Sequence, residues 1–173
     1  NLVLDSKCGN VQVQQSVGLF RMNRAVQYPF FPVVDTFNSK DSVAGIIVNK
    51  LEQILPLFPS EIKIDTVRSE NVLYVSTLFT SSNNSGLMSS NFMLSPDPQQ
   101  NPFLKLLGQS GKVLSALSSL KGGGELMLIS DSKFLSDEGG MSIPDNMVFL
   151  MNAVDYLAAV SYTHLRAHET GPY

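Results

Sequence analysis

Outside residues 161–173 the chain has no histidine; both imidazoles, His164 and His168, fall in that last segment. A Ser-His-Asp relay needs such a ring as its base, so the many serines do not by themselves make a hydrolase. Cysteine is almost as scarce. Cys8 stands alone, which excludes an internal disulfide and matches no metal spacing. As a nucleophile it would need a base or a positive surrounding, and Lys7 alone is a weak activator, so a small packed residue is the simpler role. Basic charge is not in excess either. A net charge of −3 leaves no basic footprint and argues against nucleic acid as the main partner. Long apolar runs are missing: the best stretch, 143–160, is interrupted by Asp145, Asn146, Asn152 and Asp155 and does not suit a membrane helix. An intact phosphate loop is missing as well. Gly108-Gln-Ser-Gly111-Lys112-Val113 has Leu106 where the leading glycine belongs and Val113 in place of the magnesium-binding hydroxyl. Gly122, Gly123 and Gly124 precede a strand instead of following one, so they form no dinucleotide fingerprint. No catalytic residue, cofactor-binding residue or metal ligand is predicted.

What is present is enough apolar material for one domain with a core, 43% of 173 residues. The chain is organised around residues 122–157. After the three glycines, Leu126, Met127, Leu128 and Ile129 form a continuous apolar run, which predicts a strand buried on both faces and ending at Asp131. A loop holding Asp131, Asp137 and Glu138 follows. Ser142 then fits an N-cap, Pro144 the first helical position, and Asp145 the first turn, where a negative charge suits the helix dipole. Met147, Leu150, Met151, Val154 and Leu157 share one helical stripe, and Phe149, Ala153, Tyr156 and Val160 a second beside it, so the helix is expected to be buried on more than one side.

Earlier in the chain, Leu2–Leu4 predicts a short buried strand ending at Asp5. Val11 and Val13 alternate with glutamines as in a half-exposed strand, and a hairpin about 16–18 would pair them with Leu19, Phe20 and Met22. Two prolines within 28–34 rule out a central strand there. Tyr28, Phe30, Phe31 and Phe37 read as a lid over a sheet edge or, alternatively, as an exposed patch for a partner. Asp41 or Ser42 fits the cap of a short helix through Leu51. Further strands are expected at Ile62–Ile64 and, as a central strand, at 72–79. Residues 80–101, polar and then proline-bearing, are expected to form a mobile connection. Val113–Leu117 is too short for periodicity to decide between strand and helix.

Several motifs in order carry a resemblance. Leu128-Ile-Ser-Asp131-Ser-Lys-Phe-Leu-Ser-Asp137, then Asn146, then Phe149-Leu-Met-Asn152-Ala-Val-Asp155-Tyr-Leu is similar to the GldG-like family, auxiliary components of ABC-type transport systems associated with gliding motility. The family shows a strand ending in Gly-Asp-Ser-Asp-Phe and then an Asn-Ala-Val-Asp-Trp-Leu helix. Here Ser130 replaces the glycine, Lys133 the second aspartate, and Tyr156 the tryptophan. The opening Asn1-Leu-Val-Leu-Asp5 and the segment Tyr28-Pro-Phe-Phe-Pro32 resemble the family too. The resemblance implies an α/β fold with a Rossmann-like or glutamine-amidotransferase-like layered sheet and a strand at 113–117. It also implies a non-catalytic scaffold or binding role, an extracytoplasmic (periplasmic) location, anchoring to the membrane by segments outside these residues, and partnership with an ABC permease and ATPase. The alternative is an amidotransferase-like or hydrolase enzyme whose active residues lie upstream of Asn1.

Two further expectations concern extent. The chain starts inside a strand-like run without an initiator methionine, so residues 1–160 are expected to be the C-terminal part of one α/β domain truncated on its N-terminal side. Residues 161–173 resemble a translated sequencing adapter, a non-native tail; a native helix extension is the alternative. Asp131, Asp137 and Glu138 are the candidate ligand or partner loop, lying near a strand's carboxyl end where α/β sheets bind ligands. Three carboxylates would suit a hard cation such as magnesium or calcium, but turn formation and capping in a solvated loop is the simpler role.

Overall fold

The computed structural model describes residues 1–17, 20–65, 70–97, 99–137 and 139–169, with side chains at all of these except 17, 103, 141 and 160–169. In chain order the strands are β1 (Leu2–Asp5), β2 (Cys8–Val17), β3 (Phe20–Pro32), β4 (Val72–Thr80), β5 (Ser85–Met88), β6 (Val113–Leu120) and β7 (Glu125–Ile129). The helices are α1 (Ala44–Ile47) and α2 (Pro144–Glu169), with 3₁₀ turns at Pro102–Lys105 and Gly140–Ser142. The fold is mixed α/β with small sheets: β1 with β5, β2 with β3, and a three-stranded sheet ordered β4-β6-β7. Every described ladder is antiparallel, and no Rossmann-like layering emerges among the described residues.

The period-two pattern of β2 continues into the expected hairpin, whose register runs from Val17 opposite Phe20 to Asn10 opposite Gln27. It becomes irregular between Asn10 and Cys8, beside Pro29 and Pro32, which have no N–H to give a ladder. The second hairpin, β6 to β7, turns through Gly123 and Gly124 at φ of 87° and 89°, a left-handed backbone that glycine adopts without a steric penalty.

Two apolar clusters fill the interior. In the larger, Phe149 of α2 meets Phe79 of β4 edge to face at 5.4 Å and Phe134 at 5.8 Å, with Ile47, Ile54, Leu114 and Leu117 around them. The smaller joins Leu4, Tyr28, Phe30 and Met88. The aromatic segment of β3 is therefore core and cover together: Phe30 is fully buried, and the Tyr28 hydroxyl donates to the Leu94 carbonyl at 2.6 Å.

Several expectations are corrected. β7 is not buried on both faces; Leu126 and Leu128 are exposed while Met127 and Ile129 pack against the core, because α2 covers only one side of a sheet edge. β4 is an edge strand of its ladder, and β6 is the central one. Residues 61–65 form no strand: Ile62 donates one backbone bond to Val113, and Ile64 is exposed. The connection after β4 is not structureless, since β5 lies within it and pairs with β1. α1 is a single turn, not a helix reaching Leu51, and Lys50 already has a φ of 61°. On α2 the second stripe wins: Phe149 and Ala153 are buried, whereas Met151 and Val154 are more than half exposed. Ser142 sits in the 3₁₀ turn, its hydroxyl bonded to the Gly139 carbonyl, and does not cap α2. α2 continues through Glu169, across the boundary at 160.

Candidate functional site

Three polar residues of the resembling motifs, Asp131, Asn146 and Asn152, bond to one irregular stretch, residues 47–57, which runs from the end of α1 toward the buried Pro59. Asp131 follows β7 and is 6% exposed. Its Oδ2 accepts the Leu57 N–H at 2.8 Å and its Oδ1 the Lys133 N–H at 2.7 Å. Asp145, in the first turn of α2, accepts the N–H groups of Glu52 and Gln53 through one oxygen, both at 2.9 Å. The next residue, buried Asn146, accepts the Leu55 N–H at 2.9 Å and donates to the Leu55 carbonyl at 3.1 Å, pairing a backbone unit as a neighbouring strand would. Asn152 donates to the carbonyls of Ile47 at 3.0 Å and Asn49 at 3.2 Å, satisfying groups that the end of α1 leaves open. A segment with little ladder of its own thus has its backbone groups met by side chains, as an interior requires.

The tight turn that leads into α2 needs Gly139 and Gly140, which pack against the backbone of Lys133 and Phe134. A Cβ on Gly140 would lie 2.3 Å from the Phe134 carbonyl oxygen and 3.0 Å from Asn146 Nδ2, and one on Gly139 2.3 Å from the Lys133 carbonyl oxygen. Asp5 makes a similar knot at the end of β1. Fully buried, it accepts the Ser82 hydroxyl and N–H at 2.6 Å and the Lys7 N–H at 2.8 Å. Sequence reasoning used Asp5 only as a strand end; the signal for its role was a carboxylate directly after three buried apolar residues.

Of the predicted candidate loop, Asp131 is buried and bonded to backbone, Asp137 is exposed, and Glu138 lies outside the described residues. Among the described residues no three His, Cys, Asp or Glu side chains are arranged to hold a metal ion. Each Asp131 oxygen accepts one backbone N–H, from Leu57 and from Lys133, the pattern of a turn and a cross-link between segments. At Cys8 burial raises the thiol pKa, while Lys7 is ion-paired with Asp35 and depresses that carboxyl instead. Along 108–113, the N–H groups of Gln109 and Lys112 are taken by the Ser85 carbonyl and the Ser81 hydroxyl, where a phosphate cradle would keep them open.

One cluster has no precursor in the sequence patterns. Tyr74 of β4, Glu125 of β7 and Tyr156 of α2 meet over Ser119 on the covered face of the sheet. The Tyr74 hydroxyl donates to Glu125 Oε1 at 2.9 Å. Burial first, then the carboxylate and the neighbouring phenol, push the Tyr156 hydroxyl far above the usual tyrosine range; burial and Glu125 raise Tyr74 as well. The Tyr74 phenol thus links the two outer strands of the sheet, with Tyr156 of α2 beside the pair.

No family model, curated protein or solved structure matches the chain.

Proposed function

We propose that the chain is a non-catalytic scaffold or binding domain of a GldG-like auxiliary subunit. It works at the extracytoplasmic face of an ABC transport system of the gliding-motility type, beside the permease and ATPase subunits. The observation that carries this reading is the employment of the residues behind the resemblance. Asp131, Asn146 and Asn152 each bind backbone groups of the neighbouring segment, a duty that preserves a shape and turns over no substrate. In this reading the antiparallel pieces belong to a larger Rossmann-like or amidotransferase-like layered sheet. No described helix is long and apolar enough to cross a membrane, so anchoring is assigned to segments outside these residues.

The test is co-purification from detergent-solubilised membranes. The full-length protein carrying this sequence is expected to come away with the permease and ATPase encoded beside it. Recovery free of both subunits overturns the proposal, as does an upstream region supplying a strand-to-helix nucleophile and a histidine with measurable amidase or esterase activity.

A further inference from the structure

The hairpin of β2 and β3 extends beyond the rest of the fold as a two-stranded arm, with residues 20–25 exposed throughout. Cross-strand pairs sort its two faces. Val11 with Val26, Val13 with Arg24 and Gln15 with Met22 lie on one face, which Phe20 extends by strand alternation. Gln12 with Ala25, Gln14 with Asn23 and Ser16 with Arg21 lie on the other. Two strands without a covering layer are marginal in water, yet the apolar face carries Phe20 at 75% and Met22 at 60% exposure.

Charge decides what covers it. No aspartate or glutamate occurs from Ser6 to Val34, although the whole chain is acidic at −3. Arg21 and Arg24 form no ion pair with a carboxylate among the described residues; Asp97 lines the cleft that Arg24 shares at the base of the arm. The charges on the outer part of the arm, among the described residues, are therefore cationic: Arg21 stands between Phe20 and Met22 on the opposite face, from which its long side chain can reach back, and Arg24 follows Met22 on the same face, about 7 Å along the strand. Such an order places aromatic and thioether side chains among acyl chains with guanidiniums at the phosphates. A second copy's arm would bring like charges together. Phe20 and Met22 are both mostly exposed, and a fluid bilayer takes up such side chains without a fitted pocket.

We propose that the β2–β3 arm is a lipid-contacting element that inserts Phe20 and Met22 into the surface of an anionic bilayer, with Arg21 and Arg24 on the headgroup phosphates. The inference does not rest on the transporter reading, and its test needs no transporter subunit. The purified chain is floated with phosphatidylcholine vesicles that either contain or lack phosphatidylglycerol. Binding is expected to be roughly tenfold stronger with the anionic lipid, through the two arginines, and to fall as salt rises. Phe20→Ser with Met22→Ser is expected to abolish it, and R21Q with R24Q to remove the preference for anionic lipid. Leu126→Ser with Leu128→Ser, on a different apolar surface, should leave it unchanged. The proposal is overturned if the chain ignores anionic vesicles, if the arm variants bind as well as the parent, or if the sheet variant alone loses binding. Self-association that disappears with Phe20→Ser and Met22→Ser, without vesicle binding, also overturns it by assigning the face to a second copy.

Discussion

Asn146 serves both the N–H and the C=O of Leu55 with a single buried amide, so its loss strands two backbone groups at once. Asn146→Ala is expected to destabilise the fold by about 2–4 kcal/mol, the cost of leaving a buried donor and acceptor unpaired, read as a lower urea midpoint. Asp131→Asn keeps one acceptor oxygen where two are used, and should cost about 1–3 kcal/mol in the same measurement. Tyr156 makes a prediction in pH. Its folded pKa is raised, so its contribution is fully present below the ordinary tyrosine value of about 10 and is lost as pH rises through that value and beyond. Urea midpoints should therefore fall more steeply above about pH 10 for the parent than for Tyr156→Phe. Equal slopes for the two proteins would remove the assigned role of the tyrosine cluster.

At the scale of elements, two glycines fold the loop that leads into α2, and one narrow stripe buries the helix. Gly140→Ala sets a Cβ against the Phe134 carbonyl and should destabilise by about 1–3 kcal/mol, as overpacking does, without touching any side-chain bond. Val154→Ser, on the exposed side of the same helix, should stay within about 0.5 kcal/mol. Thermal melts of the pair separate the two faces. Most of the elements were legible in sequence, but their surroundings were not. Pro144 marked the start of α2, the three glycines marked the turn into β7, and alternating valines marked the arm. The run Leu126–Ile129 was read as doubly buried because four consecutive apolar residues look the same whether one or both faces are covered. Only the neighbours decide, and here Leu126 and Leu128 stay more than half exposed. The clamp was half legible. Asn146 and Asn152 stood out as polar breaks in an apolar helix, but their partners lie on a segment whose irregular backbone leaves no periodic trace. The Tyr74–Glu125–Tyr156 cluster was invisible because it joins three elements distant in sequence.

At the scale of the whole molecule, one face of the β4-β6-β7 sheet is only partly covered among the described residues, with 62–65 lining a cleft on it. Leu73 and Val75 on one outer strand and Leu126 and Leu128 on the other flank the smaller Ala116 and Ser118 of the centre. With β7 also at a sheet edge, the isolated chain is expected to be sparingly soluble and to associate as concentration rises. Leu126→Thr with Leu128→Thr should reduce that association in sedimentation velocity with little change in the melting temperature. A parent that remains monomeric with a sharp cooperative melt would show that face to be harmless.

The side-chain grip of α2 on residues 47–57 also orders events in time. Its bonds join positions 91 to 105 apart, and loops of that span close late compared with hairpins. On the ribosome, the stretch around Leu55 emerges before α2 and must wait, its amides bonded to water, until Asn146 and Asn152 have followed it. Any stall in translation before Asn146 would leave an intermediate with the β2–β3 hairpin formed and residues 47–57 loose, open to proteases until α2 arrives.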